Sequence, residues 1–315
     1  MRLLNFKKLD AFTRGDSQGN PAGYVRLDEG QRLSEGEMQA LARELKGFVN
    51  EVGYLSRAGD RFHLRFFSSE CEVAFCGHAT IAIMYDLISC DADLLDTPEL
   101  TVHVKAGAMP VLNRVRAEDA VYITAPRPEF LVRDIHVEDV ATALGTAVAT
   151  LSQELPLEVV DGGLRTLIVP METLADCLAL NPNQERLRQF TADHDFDIVH
   201  VFAEETIFAA NAYRTRVFAP KYGYLEDPAT GSGNAAFGYY LRRHDSWRGD
   251  IAVEQGPSRS RPNIVRLKLG EVDGMERIQF GGPATVRIIG QYCLHGDQAE
   301  NANRCPENMK TADHP

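Results

Sequence analysis

Two stretches of the chain repeat one order of residue types, and that duplication constrains the fold more than any other feature. "RFFSSECEVAFCGHATIAIMYDLI", from Arg65, and "RVFAPKYGYLEDPATGSGNAAFGYYLRR", from Arg216, follow the same plan. Each runs Arg, an apolar residue, Phe, an irregular stretch, a small glycine-bearing turn and then an Ala-rich apolar helix. Gly77 and Gly231 stand 154 positions apart in a chain of 315, close to half its length. Arg-x-Phe and glycine turns are common, so coincidence is the competing explanation. The half-chain offset and the shared helix favour two related lobes. A single domain usually holds ~100–200 residues, so length also predicts two lobes with a cleft.

The remaining elements follow from local signals. "LLNFKKLDAF" predicts a strand, and Gly19, Asn20 and Pro21 form a turn feeding a second strand at "AGYVRL". In "SEGEMQALARELKG", Ser34 and Glu37 make a capping box, Leu33, Met38, Leu41 and Leu45 recur at helical spacing, and Gly47 stops the helix. "NEVGYLSRAGDRFHLRFFS" predicts a hairpin turning at "RAGD". "ATIAIMYDLI" predicts a buried helix, and "LTVHVKAGAMPVLNRVRAEDAVYITAP" three short strands. Pro126 and Pro128 mark the domain seam, after which helix and strand alternate again from "VEDVATALG". The last 20 residues are polar and expected to fray.

Bulk properties exclude several classes. A net charge of −12 without a basic tract opposes binding to nucleic acid or anionic membrane. No apolar stretch nears the ~20 residues that span a bilayer, and "MRLLNFKKLDAF" lacks a hydrophobic signal core. A cytoplasmic location is therefore expected. Six cysteines scattered along such a chain read as reduced thiols, not as a disulfide framework.

Glycines at a helix start leave backbone N–H groups unbonded, and the helix dipole adds partial positive charge, so the turn can hold an anion without Arg or Lys. Two such turns suit a small carboxylate. Cys71, Cys76 and His78 lack the spacing of common metal sites and show no fourth ligand nearby, so no metal is expected. Cys76, at a helix start, is either a stabilised thiolate or a small thiol packed under the turn. "GSGNAA" formally fits a dinucleotide fingerprint, but "LEDPAT" with Pro228 replaces the hydrophobic strand that the fingerprint needs. Asp227 is either a turn initiator before Pro228 or a carboxylate at the mouth of the second anion-binding turn. Glu51, among Phe48, Val49, Val52, Tyr54 and Leu55, is either a solvated strand residue or a carboxyl group in apolar company, suited to acid/base work near neutral pH.

"LDAFTRGDSQGNPAGYV", "NEVGYL", "EVAFCGHATIAI" and "EDPATGSGNAA" occur in the order seen in the PhzF-like (phenazine-biosynthesis-like) family, within the diaminopimelate epimerase-like superfamily. The resemblance runs from about residue 6 to residue 290. It implies an α+β fold of two pseudo-symmetric lobes, each a mostly antiparallel curled sheet around a central helix. The lobes implied are residues 1–124 plus 284–296, and 125–283, with 297–315 as a polar tail. It also implies cofactor-free proton transfer at carbon in a small carboxylated substrate held in the cleft, and a homodimer. The family's acid/base glutamate falls on Glu51, although its usual Ser-Glu-Thr/Ala context here reads Asn50-Glu51-Val52. The histidine of its CGH motif falls on His78, and the aspartate and serine of its DPATGS motif on Asp227 and Ser232. Gly77, Gly231 and Gly233 would supply backbone donors, Cys76 and Thr230 lie beside them, and Asn20 borders the substrate.

Racemases of this superfamily that work with two thiols need one cysteine per lobe. Here the second position, just before Gly231, is Thr230, whose hydroxyl has too high a pKa to serve unaided as that base. The sequence therefore predicts an isomerase with Glu51 as general acid/base. An amino-acid racemase or epimerase using Cys76 and a non-catalytic metabolite-binding protein on the same scaffold are the alternatives.

Overall fold

The structure is a computed structural model that describes residues 1–59 and 61–295. The tail expected at 297–315 lies outside them. Two compact units emerge, one built from Met1–Thr13, Gly19–Ile123 and the chain from Gly282 onward, the other from Arg14–Gln18 and Thr124–Gly281.

In the first unit, β1 (Arg2–Ala11) runs antiparallel to β2 (Asn20–Arg26), which lies parallel to β3 (Glu51–Ala58). β3 forms the expected hairpin with β4 (Arg61–Ser68), and β4 pairs both with the two-residue β5 (Glu72–Val73) and, in parallel, with β6 (Glu99–Val104). β7 (Gly107–Asn113) and β8 (Val121–Thr124) continue antiparallel, with a helical turn, Val115–Glu118, between them that the expected run of three strands does not include. The last strand of the chain, Ala284–Leu294, returns to pair with β1.

The second unit repeats this plan strand for strand. Its β9 (Glu129–Leu131) pairs with β10 (Glu158–Asp161) as the last strand does with β1. β10 runs antiparallel to β11 (Arg165–Pro170), β11 lies parallel to β12 (Ile198–Ala203), and β12 is antiparallel to β13 (Tyr213–Phe218). β13 again pairs with a two-residue strand, β14 (Glu226–Asp227), and in parallel with β15 (Ile251–Gln255), followed by β16 (Asn263–Val272) and β17 (Met275–Gly282). The last strand is thus β18.

Among the described residues, eight α-helices complete the fold. α1 (Glu35–Glu44) starts at Ser34, whose hydroxyl accepts from the Glu37 N–H while the Glu37 carboxylate accepts from the Ser34 N–H, the predicted capping box. α2 (Gly77–Ser89) is followed by α3 (Ala92–Leu95), α4 (Val115–Glu118), α5 (Val137–Leu144), α6 (Leu174–Ala179), α7 (Gln184–Asp193) and α8 (Gly231–Arg243).

α2 and α8 both have 13 residues and are the central helices of their units. α2 packs on β1, β2, β3 and β18, and α8 on β10, β11, β12 and β16. A helix enclosed in this way must be apolar nearly all round. Ile81, Ala82, Ile83 and Met84 on α2 are fully buried, as are Ala235, Ala236, Phe237 and Leu241 on α8. Each such Ile, Met, Leu or Phe side chain contributes ~1.5–3 kcal/mol by leaving water, so the enclosed helix positions the residues at its start rigidly. On the other side of each sheet the outer helices seal a second core: Met38 and Leu41 of α1 against Leu4, Val25 and Val52, and Val140, Leu144 and Leu187 of α5 and α7 against Val159, Leu167 and Val201. No helix among the described residues is long and apolar enough to cross a membrane.

Candidate active site

The duplicated helices differ from α1 at their N-termini. No side chain caps α2 or α8, and neither has an acidic residue in its first turn. Their N-cap residues, Cys76 and Thr230, are both extended, at φ −139°, ψ 108° and φ −116°, ψ 103°. Each helix therefore presents its dipole and backbone donors at Gly77 and Gly231 with no carboxylate of its own neutralising them, which is the local chemistry of an anion site.

In the first unit, the hairpin and the helix start bring three predicted residues together. Glu51 is the first residue of β3, and its Oε2 lies 3.3 Å from His78 Nε2, one residue into α2. Cys76 Sγ lies 3.5 Å from His78 Nδ1. Burial pushes the His78 imidazole down to about 4, against the opposing effect of a hydrogen bond with the Pro21 backbone. Proline has no N–H, so its carbonyl accepts, and one ring nitrogen of the neutral imidazole is committed there as donor. The other nitrogen is then an acceptor, facing Glu51 or Cys76 according to the tautomer. His78 can thus receive a proton from the neighbour that this nitrogen faces. The ligand atoms of Glu51, Cys76 and His78 all lie within 4.8 Å of one another, so this set, not expected to hold a metal, has donors that suit a cation such as zinc. Spacing had offered only Cys71 and Cys76 beside His78; the fold replaces Cys71 with Glu51. Asn20, 1 % exposed, opens β2 one residue before Pro21.

The second unit gathers Asp227, Thr230, Gly231, Ser232 and Gly233 at the start of α8. Asp227 ends β14, and its Oδ2 accepts from the Thr230 hydroxyl. A Cβ added at Gly233 would meet Ile198 Cδ1 at 3.0 Å and Thr230 Cγ2 at 3.3 Å, so glycine allows the helix its close approach to β12. Three further residues hold this turn, and sequence reasoning missed them. Gln255, the last residue of β15, accepts from the Thr230 N–H at 2.9 Å and donates to the Asp227 carbonyl at 2.9 Å. Asn234 donates to the Thr230 carbonyl at 2.8 Å and to Gln255 Oε1 at 2.7 Å. His200, on β12, lies 3.4 Å from Asn234 Oδ1 and stacks on Phe237. Asn234, four residues after the N-cap, carried a readable signal, because i and i+4 share a helix face. Gln255 and His200 carried none, since only the sheet brings them under the turn.

The arrangement can move protons at neutral pH. Glu51, a neutral imidazole and a thiol lie at one anion-attracting helix start, and a carboxylate with a hydroxyl lies at the other.

Known proteins place the chain. The family described as "Phenazine biosynthesis-like protein" (PhzC-PhzF) matches residues 9–290. A protein of Deinococcus radiodurans named "Uncharacterized isomerase" is 31% identical over 303 residues, covering 92% of this chain and 95% of that one. The trans-2,3-dihydro-3-hydroxyanthranilate isomerase of Pseudomonas chlororaphis is 28% identical over 285 residues, covering 87% and 94%. The crystal structure of a Bacillus anthracis phenazine biosynthesis protein of the PhzF family superposes with a TM-score of 0.81 at 26% identity, covering 93% of this chain and 100% of that one. With the two duplicated turns in place and the match running almost end to end, this chain belongs to the phenazine biosynthesis-like (PhzF) family.

Proposed function

We propose that this protein is an isomerase that moves a proton from one carbon to another of a small carboxylated metabolite, with Glu51 as general acid/base. Membership of a family whose relatives bear isomerase names supports the reaction class. The observation that carries the choice of residue is the Glu51 carboxyl group 3.3 Å from a neutral His78 at an uncapped helix start. In the reaction, Glu51 takes a proton from a substrate carbon, and the electron pair left behind delocalises into the adjoining unsaturated system. The same carboxyl group then returns the proton at the far end of that system. His78 orients the substrate and shares the proton, and the α2 N-terminus stabilises negative charge as it develops. The family's DPATGS motif, carried here from Asp227 to Ser232, supports a role for Asp227 and Ser232 in orienting the substrate and exchanging protons with it.

One base suffices because the proton leaves and returns on one face of the substrate. An amino-acid racemase using Cys76 is the second reading, and the 3.5 Å contact between its thiol and His78 Nδ1 favours it. Against it, Thr230 occupies the place of the second thiol and its hydroxyl donates a hydrogen bond to Asp227. A metabolite-binding protein on the same scaffold would bind carboxylates tightly without exchanging their protons.

Deuterium wash-in decides among these readings. The protein is incubated in D2O with trans-2,3-dihydro-3-hydroxyanthranilate and a panel of cyclic and amino-acid carboxylates, and mass gain is measured. Glu51→Gln should slow exchange by ~10²–10⁴-fold, the contribution typical of a positioned acid/base group, while Cys76→Ala retains it. Unchanged exchange in Glu51→Gln sinks the assignment, and loss in Cys76→Ala restores the racemase.

A further inference from the structure

The hydrogen bonds beneath the α8 turn have a determinable direction, because backbone groups fix both side-chain amides. The Thr230 N–H can only donate, so the Gln255 group that meets it at 2.9 Å is the oxygen. The carbonyls of Asp227 and Thr230 can only accept, so Gln255 Nε2 faces the first and Asn234 Nδ2 the second. Everything else follows by counting protons. Asn234 spends its second N–H on Gln255 Oε1 at 2.7 Å, and its own oxygen accepts from His200 Nε2 at 3.4 Å. Gln255 spends its second N–H on Thr230 Oγ1 at 3.0 Å. A hydroxyl has one proton, and with an N–H arriving at its oxygen, that of Thr230 points to Asp227 Oδ2. Four bonds therefore run head to tail, His200 to Asn234 to Gln255 to Thr230 to Asp227, through side chains that are all at least nine-tenths buried.

The fold does not require this chain of bonds. The strand registers make Arg65 the counterpart of Arg216 and Val73 that of Asp227. By the same registers Gly53 stands where the second unit has His200, and Val104 stands where it has Gln255. Counting from the two N-caps, Thr80 stands where the second unit has Asn234. Thr80 Oγ1 donates to the Cys76 carbonyl at 2.7 Å, as Asn234 does to that of Thr230, but no relay extends beyond it through Val104 or Gly53. The first unit builds the same turn and the same 13-residue helix with glycine and valine where the second has His200 and Gln255.

We infer that Gln255 is a positioning residue that sets the proton direction of the Thr230–Asp227 pair, holding Asp227 as an acceptor and withholding the Thr230 hydroxyl from service as a base. The catalytic part of this inference rests on the reading of Asp227 as a member of the reaction cycle; the proton direction itself does not. Bonds aligned head to tail polarise one another, so removing the Gln255 amide is felt at Asp227 two bonds away.

The test has two arms on the full chain. Without substrate, NMR of threonine-labelled protein should show a Thr230 hydroxyl proton in slow exchange with water. Gln255→Met, which removes the amide at similar length, should make it exchange at least about tenfold faster in a protein that still unfolds cooperatively, as expected when a buried bond is lost. Thr230→Ser, read in serine-labelled protein, should keep the slow proton. If Gln255→Met does not fold, Gln255→Leu, which also lacks the amide, serves. With trans-2,3-dihydro-3-hydroxyanthranilate as the probe, Gln255→Met should lower kcat about tenfold or more and leave KM within about threefold. Thr230→Val should do the same, the double variant should be no worse than either single one, and Thr230→Ser should restore most of the rate. A Thr230 hydroxyl proton unchanged in a folded Gln255 variant overturns the inference. A wild-type chain inert towards every carboxylate tested would count against the functional reading, while the first arm still decides the proton direction.

Discussion

The first residue of the third strand is Glu51 in the N-terminal unit, and the matching residue in the C-terminal unit is Ile198. The residue after each helix-starting glycine is His78 in one and Ser232 in the other. The aspartate of the second turn, Asp227, corresponds to Val73 in the first. Strand order, central-helix length and N-cap conformation are common to both units, while the groups that can carry protons differ between them position by position. The shared features are those that aim a helix dipole at a turn. The divergent ones decide what chemistry the turn performs. Duplication has kept the frame and left each copy to specialise.

One shared device shows how far the copies have drifted. Arg65 Nε donates to Glu72 at 2.7 Å and its guanidinium lies 5.2 Å from the Phe67 ring, while Arg216 Nε donates to Glu226 at 3.0 Å and lies 5.0 Å from Phe218. Both pairs tie the two-residue strand to its neighbour. The surroundings differ: the Arg65 side chain is 36% exposed and the Arg216 side chain 6%. Arg216 also donates to the carbonyls of Cys177 and Leu180 and grips Glu226 with two nitrogens. Removing one partner of a buried pair costs ~3–5 kcal/mol because the other is left desolvated. Arg216→Met should therefore cost that much in urea unfolding, and Arg65→Met ~1 kcal/mol or less. Equal losses would mean that the two ion pairs are energetically interchangeable.

Acid should act on the second unit through His200, at a position where the first unit has Gly53. Burial drives the His200 imidazole down to about 4, with its hydrogen bond to Asn234 opposing. The imidazole is neutral in the native protein and takes up a proton below about 6.5 once unfolded. The unfolded chain thus binds more protons between those values, so stability rises with pH across the window and is lost as pH falls through it. For His200 the loss between pH 7 and pH 5 should be about 2 kcal/mol. His200→Phe keeps a ring against Phe237 and removes the titrating group. Its unfolding free energy should fall by about 2 kcal/mol less than that of the wild type over the same interval. Parallel pH dependences would show that His200 is protonated alike in both states.

Much of the frame was legible because it is written in local periods and caps: the Ser34 capping box, the hairpin from Glu51, the apolar α2 and the repeated turn all appear where spacing put them. The short helix at Val115–Glu118 was missed, since four residues carry too little periodicity. At the candidate site, the nearness of Cys76 to His78 could be read along the chain. That of Glu51 to His78, 27 positions apart, was available only through the family resemblance. Gln255 and His200 were beyond reach because a parallel strand pairing, which leaves no mark in the sequence near either residue, carries them under α8. A lone buried glutamine has no period and no motif.

The smallest test concerns how the first unit fills the place of that polar network. At Gly53 an added Cβ would lie 2.3 Å from Ile83 Cδ1, and Ile83 occupies on α2 the place of Phe237 on α8. An isoleucine methyl over a glycine thus stands where the second unit stacks a phenylalanine on a histidine. Gly53→Ala should cost ~1–3 kcal/mol by overpacking, since the fully buried Ile83 must give way to the new methyl. Ile83→Val deletes the offending Cδ1 and alone should cost ~0.5–1.5 kcal/mol. Combined, the new methyl enters the space the old one left, so the double variant should be more stable than the sum of the two losses predicts, by at least ~1 kcal/mol. The backbone at Gly53 is outside the positive-φ region, so alanine adds no strain there, and it lowers the entropy of the unfolded chain by ~0.4–1 kcal/mol in favour of folding. Urea midpoints of the four proteins measure the coupling. Additive losses would show that Gly53 is required for some reason other than contact with Ile83.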